Sequence, residues 1–317
     1  MNAVHVFLHV FYAVVAWLTT VIYTECAPSP KPLRDTFSPP PRQILDALTY
    51  ICTWLFPPSI ILNSRDLPRR KCLIVAPHGM TGIDSIAIIA SIYRATGVLP
   101  RGLGESCHFW WPGYPVILRA LGVVSASREN VRMLMHANQV ILVFPGGADE
   151  VCRKKNHGKY TLIWRQRCGF AKLALEFGYP LVPIAHCGFN DMLFPPIFSI
   201  PLKPISQFLG DRYARFSIPI CLPRSWEKMY ISILPAVIPP KMDSIATSTE
   251  EFNSTAWELR EVVKASIERE IDRLIKQVQA VDPDRYLLHR SLRRLGYVWN
   301  YFGIWNSLPS PQASITQ

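Results

Sequence analysis

Short apolar runs alternate with helical patterns through the middle of the chain. Three runs have the length and composition of buried strands: residues 72–76, 140–144 and 181–185. Three segments between them carry apolar residues at helical spacing, the last closed by Gly178: residues 85–94, 131–136 and 161–177. Apolar strands that alternate with helices predict an α/β fold, with a mostly parallel sheet covered by helices on both faces.

Residues 4–23 form an apolar run that contains no charged side chain. At about 1.5 Å per residue such a run spans about 30 Å, the thickness of a bilayer's hydrocarbon layer. We therefore predict a membrane anchor over residues 1–25. The alternative is a cleaved signal peptide, but residues 1–5 contain no Lys or Arg, and the run exceeds the usual apolar core of about 7 to 15 residues.

Basic residues follow this run and none precedes it, the first three being Lys31, Arg34 and Arg42. The positive-inside rule then places the N-terminus outside the cytosol and the rest of the chain inside it. Residues 26–43 contain six prolines and are predicted to be a connector. The domain is predicted to span residues 44–280, with Ser248 and Glu251 opening a long terminal helix, and residues 281–317 to be a C-terminal extension.

Two further apolar regions suggest contact with lipid. Residues 44–62 are interrupted by Asp46 and by two prolines, which leaves an interfacial or shallow re-entrant helix possible beside an ordinary core helix. Residues 192–223 mix Phe, Ile and Pro with few charges. That composition suits a surface pressed on lipid or the lining of an acyl channel more than a regular element, and a buried loop is the alternative.

Composition and charge narrow the classes of partner. The chain is 49% hydrophobic and 18% charged, which excludes a disordered protein, and its formal net charge of +11 favours anionic partners. Aromatic residues accompany the basic ones, a combination suited to a lipid bilayer interface. No nucleic-acid-binding signature occurs, so no nucleic acid partner is expected. The eight cysteines lack metal-ligand spacing, so we expect free thiols and no metal site, with disulfides as the alternative.

One segment between a predicted strand and a predicted helix combines His78, Gly79, Gly82 and Asp84. Sites in α/β sheets gather at the carboxyl ends of strands, and the two glycines permit the tight turn that would bring His78 to Asp84. A histidine held by a carboxylate through one ring nitrogen can act as a general base through the other. The alternative is that Asp84 caps the helix and His78 is a polar residue at a strand end.

A second loop of the same kind follows the next predicted strand. It reads Phe144, Pro145, Gly146, Gly147 and, after two more residues, Glu150. The alternative here is a plain turn with surface carboxylates. Two glycine-rich loops after two buried strands favour one shared site.

With both loops in this order, the chain resembles the glycerolipid acyltransferases, and within them the transmembrane protein 68 group and the type 2 diacylglycerol acyltransferases. Residues 122–128 resemble the block whose arginine, here Arg128, contacts a phosphate, and residues 167–184 resemble the helix and strand after the glycine motif. The resemblance covers roughly residues 45–275. Five residues separate His78 from Asp84 where four are widespread, and Gly146 replaces the glutamate of Phe-Pro-Glu-Gly.

The resemblance implies a membrane-bound O-acyltransferase of the endoplasmic reticulum, with a cytosolic catalytic domain. It would move an acyl chain from acyl-CoA to a mono- or diacylglycerol-type hydroxyl, with His78 as the base, Asp84 orienting it and no cofactor. Seven residues would bind substrate: Gly79, Arg128, Phe144, Pro145, Gly146, Gly147 and Glu150. The alternatives are a lysophospholipid acyltransferase and a non-catalytic lipid-binding protein of the same fold.

Overall fold

The structure is a computed structural model that describes residues 39–56, 59–110, 114–152, 158, 160–192, 198–209, 211–221, 228–241 and 248–281. The predicted anchor, most of the predicted connector and the C-terminal extension from residue 282 lie outside these residues. Within them, no helix is both long and apolar enough to cross a bilayer. The chain divides into two compact units, Met1–Ile271 and Asp272–Gln317, and the second is described only as the end of the last helix.

The described helices and strands alternate as the sequence predicts. The α-helices are α1 (Arg42–Leu55), α2 (Asp84–Thr96), α3 (Tyr114–Ala120), α4 (Arg128–His136), α5 (Ala148–Val151), α6 (Gly169–Phe177), α7 (Ser206–Leu209) and α8 (Thr249–Val281). The strands are β1 (Ser59–Leu62), β2 (Cys72–Val75), β3 (Arg101–Gly104), β4 (Val124–Ser125), β5 (Val140–Val143), β6 (Leu181–Cys187), β7 (Phe198–Pro201), β8 (Ser217–Ile220) and β9 (Met229–Ile233).

Seven strands form one sheet in the order β1-β9-β6-β2-β5-β3-β4. From β6 to β4 all neighbours are parallel, whereas β9 runs antiparallel to β6 and carries β1 parallel to itself. The expected mostly parallel sheet flanked by helices is therefore confirmed. Because β2 lies between β5 and β6, the loops that follow these three strands meet at one edge of the sheet.

The core consists of the buried central strands and the helix faces that pack on them. Every residue of β2 is fully buried, and α2 turns Ala87, Ile88 and Ile92 inward at helical spacing. Full burial of such a side chain contributes roughly 1.5–3 kcal/mol, so the central strands and α2 hold the loops above them in a fixed arrangement. The six cysteines whose side chains are described are free thiols.

The predicted helix over residues 161–177 is wrong in its first half. Helix α6 begins only at Gly169, and Arg165 has a φ of +48° that no right-handed helix contains. The amide of Ile163 donates to the Glu150 carboxylate at 2.9 Å, and Trp164 is buried. Long-range contacts therefore replace the local helical hydrogen bonds in this segment.

The region 44–62 contains both a helix and a strand. Helix α1 packs Leu45, Thr49 and Cys52 inward and leaves Ile44 and Tyr50 exposed on its other side. The helix begins at Arg42, so the last two residues of the predicted connector already belong to it. The two prolines separate α1 from β1, which pairs with β9 at the edge of the sheet.

The described part of region 192–223 contains a pair of regular strands, contrary to expectation. Strands β7 and β8 pair antiparallel, with Phe198 opposite Ile220 and Ile200 opposite Ile218. These four apolar side chains share one face of the hairpin, because alternate residues of a strand point to the same side. Pro219 on the opposite face is buried, whereas Phe198 is 57% exposed. We call these four residues the apolar hairpin face.

Candidate active site

The loops after β2, β5 and β6 meet as the parallel sheet requires, and each brings one part of the site. The first carries His78 and Asp84, the second carries Phe144 and Gly146, and the third is the 3₁₀ turn Phe189–Met192. The amide of Met80 donates to Asn190 Oδ1 at 2.8 Å, which ties the first loop to the third. The predicted convergence of the two glycine-rich loops is thus observed.

His78 and Asp84 are in direct contact. His78 Nδ1 lies 3.2 Å from Asp84 Oδ1, and the Gly79 amide donates to Asp84 Oδ2 at 2.7 Å. Asp84 is the first residue of α2, but its carboxylate turns back into the loop instead of capping the helix. Gly82 has a φ of +75°, a conformation that favours glycine and lets the loop close over so few residues. Gly79 itself is buried in this turn.

Asp84 is fully buried and stays ionised more readily than an ordinary aspartate. Burial alone would raise its pKa, but the His78 ring, the nearby His186 and the Gly79 amide outweigh it and lower the pKa below 3.8. His186 Nε2 lies 3.7 Å from Asp84 Oδ2 and 2.8 Å from the Pro77 carbonyl oxygen. The carboxylate is therefore a fixed negative charge beneath the His78 ring.

The orientation of the His78 ring is set from two sides. An ionised carboxylate only accepts hydrogen bonds, so Nδ1 carries the proton that faces Asp84, and Nε2 keeps its lone pair. Phe144 stacks on the ring with a centroid distance of 3.9 Å and an interplanar angle of 15°. The side chain of His78 is 14% exposed, so the ring is held in place and still reaches the surface.

Glu150 is fully buried and joins two backbone segments. Its Oε2 accepts the His78 amide at 2.7 Å, and its Oε1 accepts the Ile163 amide at 2.9 Å. A β-carbon added at Gly146 would lie 1.9 Å from Glu150 Cδ. The Glu150 carboxylate therefore occupies the space that a side chain at position 146 would need, and it reaches this space from α5.

The remaining residues of the second loop differ in what they offer a substrate. The Gly147 amide donates to the Phe144 carbonyl oxygen at 3.1 Å within the turn, so it is already engaged. The Gly146 amide makes no hydrogen bond with the residues that the structure describes. Pro145 is buried, and its carbonyl oxygen accepts from Arg167 Nη1 at 3.0 Å. The Gly146 amide is thus one backbone donor that this loop offers to a substrate.

Arg128 lies away from this group. It is exposed at the start of α4, directly after β4, where the Ser127 hydroxyl caps the helix. Three strand spacings, or roughly 14 Å, separate β4 from β2. Arg128 thus follows the edge strand and His78 a central one, and the contact of Arg128 with a phosphate stays a prediction.

His186, Asn190 and Asp191 contribute to the site although the sequence did not single them out for it. Asp191 accepts a 2.7 Å hydrogen bond from the Tyr160 hydroxyl, whose pKa is raised well above 10.0 by burial and by the Asp191 charge. One signal was available, because β6 adjoins β2 in a parallel sheet and its carboxyl end must lie beside the His78 loop. Among the described residues, no group of His, Cys, Asp and Glu is arranged to hold a metal ion.

Comparison with known proteins places this chain in a family. The sequence model described as "Diacylglycerol acyltransferase" matches residues 7–242, which is more than half of the chain. The chain belongs to this family. The resemblance inferred from its motifs is confirmed at that level.

Two human relatives of this diacylglycerol acyltransferase family member carry specific names. Acyl-CoA wax alcohol acyltransferase 2 is 31% identical over 153 residues, which cover 45% of this chain and 45% of that protein. 2-acylglycerol O-acyltransferase 1 is 30% identical over 124 residues, 37% of each chain. The matched segments thus span less than half the length of either relative.

A solved structure with a related arrangement is the 1-acyl-sn-glycerophosphate (LPA) acyltransferase PlsC from Thermotoga maritima. It is 18% identical, has a TM-score of 0.44, and covers 82% of this chain and 89% of its own. At that identity and TM-score the likeness carries no inference about function.

Proposed function

We propose that this member of the diacylglycerol acyltransferase family is a membrane-bound O-acyltransferase that moves an acyl chain from acyl-CoA to a mono- or diacylglycerol-type hydroxyl. The observation that carries the proposal is the 3.2 Å contact between His78 Nδ1 and the buried Asp84 carboxylate at the carboxyl end of β2. The names of the family and of its human relatives support the substrate class.

The proposed reaction begins with proton transfer to His78 Nε2. As the acceptor hydroxyl loses its proton, its oxygen attacks the thioester carbonyl carbon of the donor. The new C–O bond forms, the C–S bond breaks, and the departing CoA thiolate takes the proton from the imidazolium. Asp84 stabilises the imidazolium throughout, because its ionised carboxylate lies against Nδ1. We assign to the Gly146 amide, which donates to no described residue, the stabilisation of the negative charge on the carbonyl oxygen.

Attachment to a bilayer is also part of the proposal, and the apolar hairpin face supports it. Three of its side chains, Phe198, Ile200 and Ile218, are each more than two fifths exposed. The hairpin lies beside the site, because Cys221, directly after β8, contacts Met80 of the His78 loop with 3.5 Å between sulfur atoms. A lipid surface covering this face would bring dissolved acyl chains to His78. We propose the endoplasmic reticulum membrane, a cytosolic catalytic domain and no cofactor.

The test measures transfer in membranes that contain the full chain. Wild type, His78→Ala and Asp84→Ala are incubated with labelled acyl-CoA and a panel of mono- and diacylglycerols, fatty alcohols and lysophospholipids, and the labelled products are separated. His136→Ala is the matched control, since His136 is exposed at the end of α4.

Label in di- or triacylglycerol with wild type and the control, but not with the two site variants, is the expected result. Label in phospholipid would instead assign the lysophospholipid reaction. Product formation that persists in His78→Ala would refute the proposed base, and wild type without any product would leave the lipid-binding alternative.

A further inference from the structure

Three arginines converge on one buried carboxylate next to the site. Arg165 Nε lies 2.7 Å from Asp149 Oδ1, and Arg167 Nη2 lies 2.5 Å from Asp149 Oδ2. Arg215 Nη2, from the segment just before β8, lies 3.5 Å from the same oxygen. We call these residues the arginine cluster. The three arginines come from two segments that are distant in sequence, so only the fold brings them together.

The arginine cluster carries more charge than it neutralises. Three guanidinium groups share one carboxylate, and the Arg215 guanidinium also lies 4.7 Å from the centre of the Phe216 ring. The Asp149 side chain is 2% exposed, whereas those of Arg165 and Arg215 are 56% and 53% exposed. The negative charge is thus beneath the surface, and more than half of the Arg165 and Arg215 side chains is exposed to solvent. Such a surface attracts an anion with several oxygen acceptors.

The cluster is attached directly to the catalytic loops. Arg167 Nη1 donates to the carbonyl oxygens of Pro145 and Gly146. Asp149 adjoins Glu150, which holds the His78 amide. The cluster is therefore joined to the loop after β5, at the same edge of the sheet as His78.

The backbone that presents these side chains is held from α8. Arg260 is buried and donates to the carbonyl oxygens of Arg165 and Arg167 at 2.6 and 3.2 Å. Its guanidinium also stacks over Trp257, at 4.5 Å from the ring centroid. A segment fixed in this way presents the guanidiniums before any ligand arrives, which reduces the entropy lost on binding.

We propose that the arginine cluster binds the phosphate groups of the acyl donor. The inference rests on the proposed function, in which the donor is a CoA thioester with several phosphates and the acceptor is a neutral alcohol with none. It assigns recognition of the donor's phosphates to Arg165, Arg167 and Arg215. Phosphate binding at this point would hold one end of the donor, and its pantetheine arm would carry the thioester to His78.

The test compares two donors on the full chain in membranes. One is acyl-CoA, and the other is the acyl thioester of N-acetylcysteamine, which has no phosphate. Arg165→Gln and Arg215→Gln are the variants, chosen because Arg167 also holds the loop carbonyls. Arg132→Gln is the matched control, an arginine 54% exposed in its side chain that pairs with Glu176.

We expect each variant to raise the KM for acyl-CoA roughly 5- to 10-fold while kcat changes less than about 2-fold, because a partly exposed charge-assisted hydrogen bond is lost. The KM for the phosphate-free thioester should stay unchanged, and the control should match wild type with both donors. Adding salt should weaken acyl-CoA use by wild type more than by the variants. Variants that raise both KM values equally, or neither, would overturn the proposal.

Two further measurements distinguish binding of the donor's phosphates from effects on turnover and from binding of an acceptor's phosphate. Equilibrium dialysis of the detergent-solubilised chain against CoA alone should show weaker binding by the variants, and this readout does not depend on turnover. Undiminished CoA binding would overturn the inference even if wild type transfers acyl chains. A KM that rises only for a lysophospholipid acceptor would assign the cluster to the acceptor's phosphate instead and overturn the proposal.

Discussion

The contact between Gly146 and Glu150 makes a strong prediction about stability. An alanine β-carbon at position 146 would lie 1.9 Å from Glu150 Cδ, 2.2 Å from Oε2 and 2.3 Å from Cγ. Ordinary contacts between such atoms exceed about 3.4 Å, so the buried carboxylate must leave its place. Gly146→Ala therefore breaks the hydrogen bonds from the His78 and Ile163 amides together.

The magnitude follows from those two hydrogen bonds. Each joins a backbone amide to a charged group and is worth roughly 1.5–3 kcal/mol, so Gly146→Ala should lower the free energy of unfolding by about 3–6 kcal/mol. Glu150→Ala removes the same hydrogen bonds but also the atoms that clash. Adding Gly146→Ala to that variant should then cost only about 1 kcal/mol or less, giving a coupling of at least about 2 kcal/mol.

Denaturant unfolding of the four proteins in detergent, followed by tryptophan fluorescence, measures this cycle. Gly169→Ala is the control, because a β-carbon there meets nothing within 4 Å. Transfer activity should fall in Gly146→Ala, since the His78 backbone loses its support. Costs that add within about 0.5 kcal/mol would refute the idea that Glu150 fills the space beside Gly146.

Four further predictions follow. The pKa of Asp84 is lowered below 3.8 in the folded chain, so the ionised carboxylate should contribute fully to stability above that pH and lose this contribution as the pH falls through the folded pKa. The difference in unfolding free energy between wild type and Asp84→Asn should therefore shrink on acidification. Phe144→Leu should lower kcat by about 10-fold with little change in stability, because the stacked His78 ring loses its orientation. Burial raises the pKa of Cys72 to about 12, so iodoacetamide at pH 8 should label it only after denaturation, as mass spectrometry would reveal. Phe198→Ser with Ile218→Ser should lower the transfer rate of the full chain in membranes at least 5-fold, whereas an unchanged rate would argue against the apolar hairpin face as the lipid contact that supplies acyl chains.

Much of the candidate site could be predicted because its parts are local. The buried runs of β2, β5 and β6 carry their own hydrophobic pattern, and each loop follows its strand directly in sequence. Once three such strands are parallel neighbours, His78 and Phe144 must lie at one edge of the sheet. The spacing of His78 and Asp84 across Gly82 likewise limits that loop to a tight turn.

Other features depended on contacts between distant segments and could not be predicted from local pattern. Residues 161–168 have apolar side chains at helical spacing but form no helix. The hydrogen bond from Ile163 to Glu150, the burial of Trp164 and the left-handed backbone of Arg165 fix this segment in another conformation. The many prolines of residues 192–223 suggested a segment without regular structure, but β7 and β8 pair there over four residues each. Motif order also says nothing about which strand lies at the edge, so the position of Arg128 after the edge strand β4 could not be predicted.

The amino-acid sequence by itself determined the buried strands, the helices that cover them and the identity of the His78–Asp84 pair, since burial and tight turns act over a few residues. Only the tertiary structure decided that Glu150 fills the space left by Gly146, that His186 stands against Asp84, and that three arginines share Asp149. The contacts of His186 and of the arginines join residues separated by up to about a hundred positions, so only the packing of the whole sheet brings them together. Gly146 and Glu150 are close in sequence, but the Glu150 carboxylate is held by the amide of the distant His78.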